Sequence, residues 1–130
     1  MNLAHGDFDI TITPQAQDAG AGSTLGRMTL EKMFRGDIEG TSKGEMLTAM
    51  MENDSAVYAA IERVTGTLHG RRGSFVLVHQ GIAKCGEQSL KIVVAPDSGT
   101  DELRGIAGEM KILIEEGKHS YILDYSLADE

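Results

Sequence analysis

The chain has 130 residues, enough for one domain (1–130) with a single core and no need of covalent staples. Its 20 acidic residues against 12 basic give a formal charge of −8, a surface that phosphate backbones and anionic membranes repel, so neither nucleic acid nor membrane is expected as a partner. Cys85 is the only cysteine, which excludes an intramolecular disulfide. The start lacks a signal-peptide pattern and no apolar run nears the ~18–20 residues of a membrane span, so the expected location is the cytoplasm.

The first strand is predicted at Phe8–Thr13, where Phe8, Ile10 and Ile12 alternate with Asp9, Thr11 and Thr13. Pro14 is expected to end it, because proline cannot donate to a ladder. Residues 15–24 are small and polar and read as a flexible connection. Alternation returns from Leu25 to Gly40, with Met28, Leu30, Lys32, Phe34 and Ile38 on one face. Gly36, Gly40 and Gly44 punctuate the next connection, and a methionine-rich strand follows at about 43–52. Asn53-Asp54-Ser55 is a turn signal.

Residues 56–83 read as two long strands joined around Arg71-Arg72. Leu90 to Ala95 is a nearly continuous apolar strand, and Thr100 or Asp101 could cap a short helical turn through Leu103. The final hairpin, 106–115 with 119–127, turns at Glu116-Gly117 and pairs Ile114 with His119, Ile112 with Tyr121, and Met110 with Leu123. Sixteen glycines with two prolines and no long helical pattern suit a strongly curved sheet. The fold class expected is all-β: one eight-stranded antiparallel barrel, whose interior holds its own side chains or one small ligand.

The 56–83 hairpin carries the one constellation with chemical potential. A loop of even length centred on Arg71-Arg72 places Leu68 opposite Phe75 and Glu62 opposite Gly81, with Glu62 and His79 diagonal on the inward face. Burial raises a glutamic acid and lowers a histidine, while their mutual attraction opposes both shifts. Such a pair could exchange a proton with a ligand, with Tyr58 supplying a hydroxyl; the plainer reading is that the two side chains satisfy each other. His5, His69, His119 and Cys85 show no ligand spacing, so no metal and no cofactor is expected.

Three segments carry a resemblance: GSFVLVHQG (73–81), APDSGTDELRGIAG (95–108) and YILDYSL (121–127). Together the chain resembles a small bacterial family of unknown function placed in the allene oxide cyclase-like barrel superfamily. The resemblance implies an eight-stranded barrel and oligomers, and no catalytic residue transfers with it. The function expected is binding of a small apolar or oxygenated molecule inside the barrel, with Tyr58, Glu62, Phe75, Leu77, His79 and Tyr121 as candidate contacts. Phe8, Met28, Phe34 and Val64 are further expected wall residues. The alternatives are an isomerase or cyclase using Glu62 and His79 as acid and base, and a structural homo-oligomer built on Leu47, Met51, Leu113 and Ile122.

Overall fold

In the computed structural model, which describes residues 2–128, the chain closes into an eight-stranded antiparallel barrel. The strands are β1 (Asn2–Ala19), β2 (Ser23–Gly36), β3 (Ile38–Met51), β4 (Ala56–Leu68), β5 (Arg71–Lys84), β6 (Glu87–Val94), β7 (Ala107–Glu115) and β8 (Lys118–Ser126). Each pairs with its neighbours in sequence, and β8 returns to β1 through residues such as Gly6 opposite Tyr121. Closure leaves the long, twisted strands few free edges, the liability of any open sheet.

The alternation of the sequence becomes inside and outside. Ala4, Phe8, Phe34, Val64, Phe75, Leu77, Ile92, Met110, Tyr121 and Leu123 are buried within the barrel. Asp7, Asp9 and Arg35 stand outside, where Arg35 bridges both carboxylates at 2.7 and 2.8 Å. Among the described residues no helix is long and apolar enough to cross a membrane.

The two ends of the barrel differ. At one end the 3-10 turn Asp101–Leu103 folds inward, and Leu103 and Ile106 pack with Ile38, Leu68 and Leu127 as a plug. Thr100 starts that turn without capping it; its hydroxyl instead accepts the Ser74 N–H at 2.9 Å. Near the plug, β2 gives way to β3 through Gly36, whose φ of 103° is favourable only for glycine. Tyr121 holds this corner: its hydroxyl accepts the Ile38 N–H and donates to the Arg35 carbonyl, both at 2.9 Å. The adjoining Asp37 carboxylate accepts the His5 N–H at 2.9 Å and lies 3.4 Å from His69 Nε2. The His5 N–H, with help from His69, keeps this carboxyl below its ordinary range.

The opposite end is open. β8 leaves β1 after Phe8 meets His119, so β1 from Asp9 to Ala19 pairs with β2 alone. On the far side β6 and β7 pair at Ile92–Met110 and Val93–Glu109, so their remaining lengths toward this mouth diverge.

Several expectations need correcting. Pro14 does not end the first strand, and residues 15–19 are not loop: β1 continues to Ala19 past a bulge between Pro14 and Ala16. Proline is tolerated at bulges and on edges, and both conditions hold here. The strand expected at 25–40 ends at Gly36, and the next begins at Ile38 rather than 43. Gly40 and Gly44 therefore lie inside β3, where their missing side chains admit neighbouring backbone. The β4–β5 turn falls at His69-Gly70, not Arg71-Arg72. Both turn residues have positive φ, 48° and 78°, which glycine adopts freely and two central arginines would resist. Leu68 accordingly pairs with Arg71, and Glu62 with Leu77. The register moves by an even number, so every inward residue stays inward. The final hairpin has the expected turn and pairings.

Candidate functional site

Midway along the barrel three ionisable side chains meet inside the apolar filling. Lys32 occupies an inward position of β2 between Leu30 and Phe34, and its side chain is 3% exposed. Glu62 occupies an inward position of β4 and is fully buried. β3 lies between them, so their strands are about 10 Å apart. Gly44 makes the crossing possible. It pairs with Glu62, and a Cβ on Gly44 would sit 2.7 Å from the Glu62 Cβ and 2.2 Å from the Ile61 carbonyl oxygen. With that space free, Lys32 Nζ lies 2.9 Å from Glu62 Oε2 and donates to Oε1 at 3.2 Å. The ammonium also sits 4.9 Å above the Phe8 ring centroid, a favourable placement for a cation.

His79 completes the group from β5, as the diagonal neighbour of Glu62. Its Nε2 is 3.6 Å from Glu62 Oε2, just beyond hydrogen-bond distance. Neither Glu62 Oε2 nor His79 Nε2 has a hydrogen-bond partner among the described residues. The Lys32 approach to Oε2 is an ion-pair contact without hydrogen-bond alignment. Burial pushes the Glu62 carboxyl upward, but His79 and Lys32 together outweigh it, and the net direction is below the ordinary carboxylate value. Glu62 is thus an anion at neutral pH, held between two potential cations.

Above this group lies a cavity of about 300 Å³ that opens at the barrel mouth. Its walls are apolar, with Ile10, Leu30, Met46, Ile112 and Ile114 among them, and Phe8 at its inner end. Lys32, Thr48, Tyr58, His79 and His119 supply its polar atoms. The Tyr58 ring lies across the strand over Gly81; a Cβ there would come within 2.1 Å of the ring, so glycine gives the ring its place. Burial raises the Tyr58 hydroxyl above its ordinary value.

Of the residues expected as ligand contacts, the structure brings Tyr58 and His79 to the cavity wall. Glu62 stands behind that wall. Phe75, Leu77 and Tyr121 lie in the packed core toward the plug, together with Phe34 and Val64. The residue that sequence reasoning passed over is Lys32. Its signal was legible: a lysine on the apolar face of an alternating strand must find a buried anion. Among the described residues no group of three or more His, Cys, Asp or Glu is placed to hold a metal ion.

The architecture and its site define a small closed barrel with a buried Lys–Glu–His group beneath an open apolar cup. Residues 4–125 match the family model described as a protein of unknown function, DUF3224, and the chain belongs to that family. A crystal structure of a DUF3224 protein of unknown function from Shewanella oneidensis MR-1 is similar throughout. It shares 46% identity over 98% of both chains, with a TM-score of 0.91. Among curated proteins, none matches this chain.

Proposed function

We propose that the protein binds a small, largely apolar molecule with one oxygen function, seated in the cup with its oxygen toward Lys32 and His79. The observation that carries this reading is the cavity itself: about 300 Å³, walled mostly by apolar side chains, with Lys32 and His79 among its few polar ones. That volume is at the lower end for small-molecule sites, so the ligand is compact. The unpartnered Nε2 of His79 favours a ligand that can exchange a hydrogen bond with it.

Thermal denaturation with cinnamyl alcohol, a neutral molecule of this kind, tests the reading. Saturation at a hundredfold excess over Kd stabilises by about 2.7 kcal/mol, which raises Tm by several degrees in a domain of this size. The Ile112→Trp variant, whose indole fills the cup, should lose the shift. No shift across a panel of such alcohols, or an equal shift in the filled variant, would remove the reading.

An isomerase or cyclase using Glu62 and His79 as acid and base is the weaker alternative. Glu62 is set back from the wall and its charge is engaged by Lys32. The allene oxide cyclase-like relationship belongs to this proposal only as a likeness of barrel architecture. A cytoplasmic site of action is part of the same reading, supported by the exposed free thiol of Cys85.

We also propose that a second copy covers the outer face of β3–β5, where Leu47, Val57, Ile61 and Ile82 are exposed side by side. Arg27, Lys43, Arg63 and Lys91 stand on the same rows against two acids, Glu31 and Glu45. On a molecule of charge −8, this is the face where two copies repel least. Of the residues named for this role from sequence, Leu47 lies on that face and Met51 at the end of the same strand, while Leu113 on β7 and Ile122 on β8 lie outside it. Light scattering should give a dimer that Ile61→Lys converts to a monomer. A monomeric wild type at high concentration would end this idea.

A further inference from the structure

Among the described residues, Lys32 is the one primary amine lining the cup, and charge balance selects what it can accept. The Lys32–Glu62 pair is neutral overall, with the anion fully enclosed and the cation 3% exposed. With His79 neutral, an anionic ligand placed against the group would add an uncompensated buried charge, and a cationic ligand would compete with Lys32 for Glu62. A neutral carbonyl compound does neither. Resting on the reading of the cup as a ligand site, we propose that its ligand is an apolar aldehyde, held covalently by Lys32 as a protonated imine.

The step balances without an added reagent. The Lys32 ammonium passes a proton to the adjacent Glu62 carboxylate, 2.9 Å away, and the freed amine nitrogen adds to the aldehyde carbon. The carbinolamine hydroxyl then leaves as water while the nitrogen electron pair forms the C=N bond. Aldehyde plus ammonium becomes iminium plus water, with one positive charge on nitrogen before and after. Glu62 returns to a carboxylate facing that cation, so the enclosed ion pair survives the reaction. Phe8, beneath the ammonium at 4.9 Å, faces a cation in both states. His79 is positioned to carry the proton in transit: its Nε2 lies 3.6 Å from the Glu62 oxygen and has no other partner.

The test uses cinnamaldehyde with sodium cyanoborohydride on the full chain at neutral pH, followed by peptide mapping. One adduct is expected, on Lys32, formed at least tenfold faster than on exposed lysines such as Lys43 or Lys91. Lys32→Arg should lose the adduct, with labelling of the remaining lysines unchanged. Should the alcohol bind in wild type while the aldehyde labels only surface lysines, the imine is overturned and the ligand site stands. If neither molecule shifts Tm and Lys32 is unlabelled, both fall. Because the labelled position in wild type decides the matter, a poorly folding variant does not weaken the test.

Discussion

Glu62→Leu is expected to destabilise the protein by about 3–5 kcal/mol, because it leaves the Lys32 ammonium buried without its anion. The loss should exceed what the change in side-chain volume accounts for. The double variant Lys32→Met with Glu62→Leu removes both charges and should recover the loss, ending near wild type or up to about 4 kcal/mol above it. Urea denaturation at pH 7 reads all three proteins. A single variant as stable as wild type would mean that Lys32 escapes to solvent and that the pair is not enclosed. The same comparison has a pH signature. The folded-state carboxyl of Glu62 lies below its ordinary value, so its contribution is complete above about pH 4.3 and is lost as pH falls through the lower folded value. The gap in stability between wild type and the double variant should therefore shift against wild type below about pH 4.

Phe75→Ala is the second large effect, expected at about 3–5 kcal/mol. Phe75 is 2% exposed and packed in the core between the polar group and the plug. Ile114 stands at the open mouth, 65% exposed, and its replacement by alanine should change stability by about 0.5 kcal/mol or less. The contrast measures the division of the barrel into a filled end and an empty one. Equal losses at the two positions would show that the cup collapses in solution and buries Ile114. That division also explains why Phe75, Leu77 and Tyr121 were plausible as ligand contacts from sequence. They do point inward, but toward the end that side chains already fill. Inward direction follows from alternation; depth along the barrel axis does not.

The closed barrel at 46% identity to a solved relative of the same family gives these tests a second protein in which to be repeated. The cup and the three side chains beneath it are where a ligand would be held. A covalent adduct on Lys32 would establish both at once.

How much of this was written in the chain can be followed residue by residue. Alternation assigned Phe8, Phe34, Glu62, Leu77 and His79 to the interior, because side-chain direction in a strand has a period of two and needs no partner to be known. The final hairpin was legible to the pairing, since Glu116-Gly117 is a turn with no competitor nearby. The Glu62–His79 diagonal survived a misplaced turn only because the error was even. Tertiary structure decided the rest. Pro14 sits within a strand because of a bulge and an edge that no local signal announces. Lys32 finds Glu62 across an intervening strand, through a gap that Gly44 leaves open. Such a contact depends on which strands are neighbours but one, and local sequence does not encode that. The open cup, too, exists because β6 and β7 diverge after two paired positions while the 3-10 turn plugs the other end. Local pattern determined which residues face the axis; chain closure determined which of them still have room beside them.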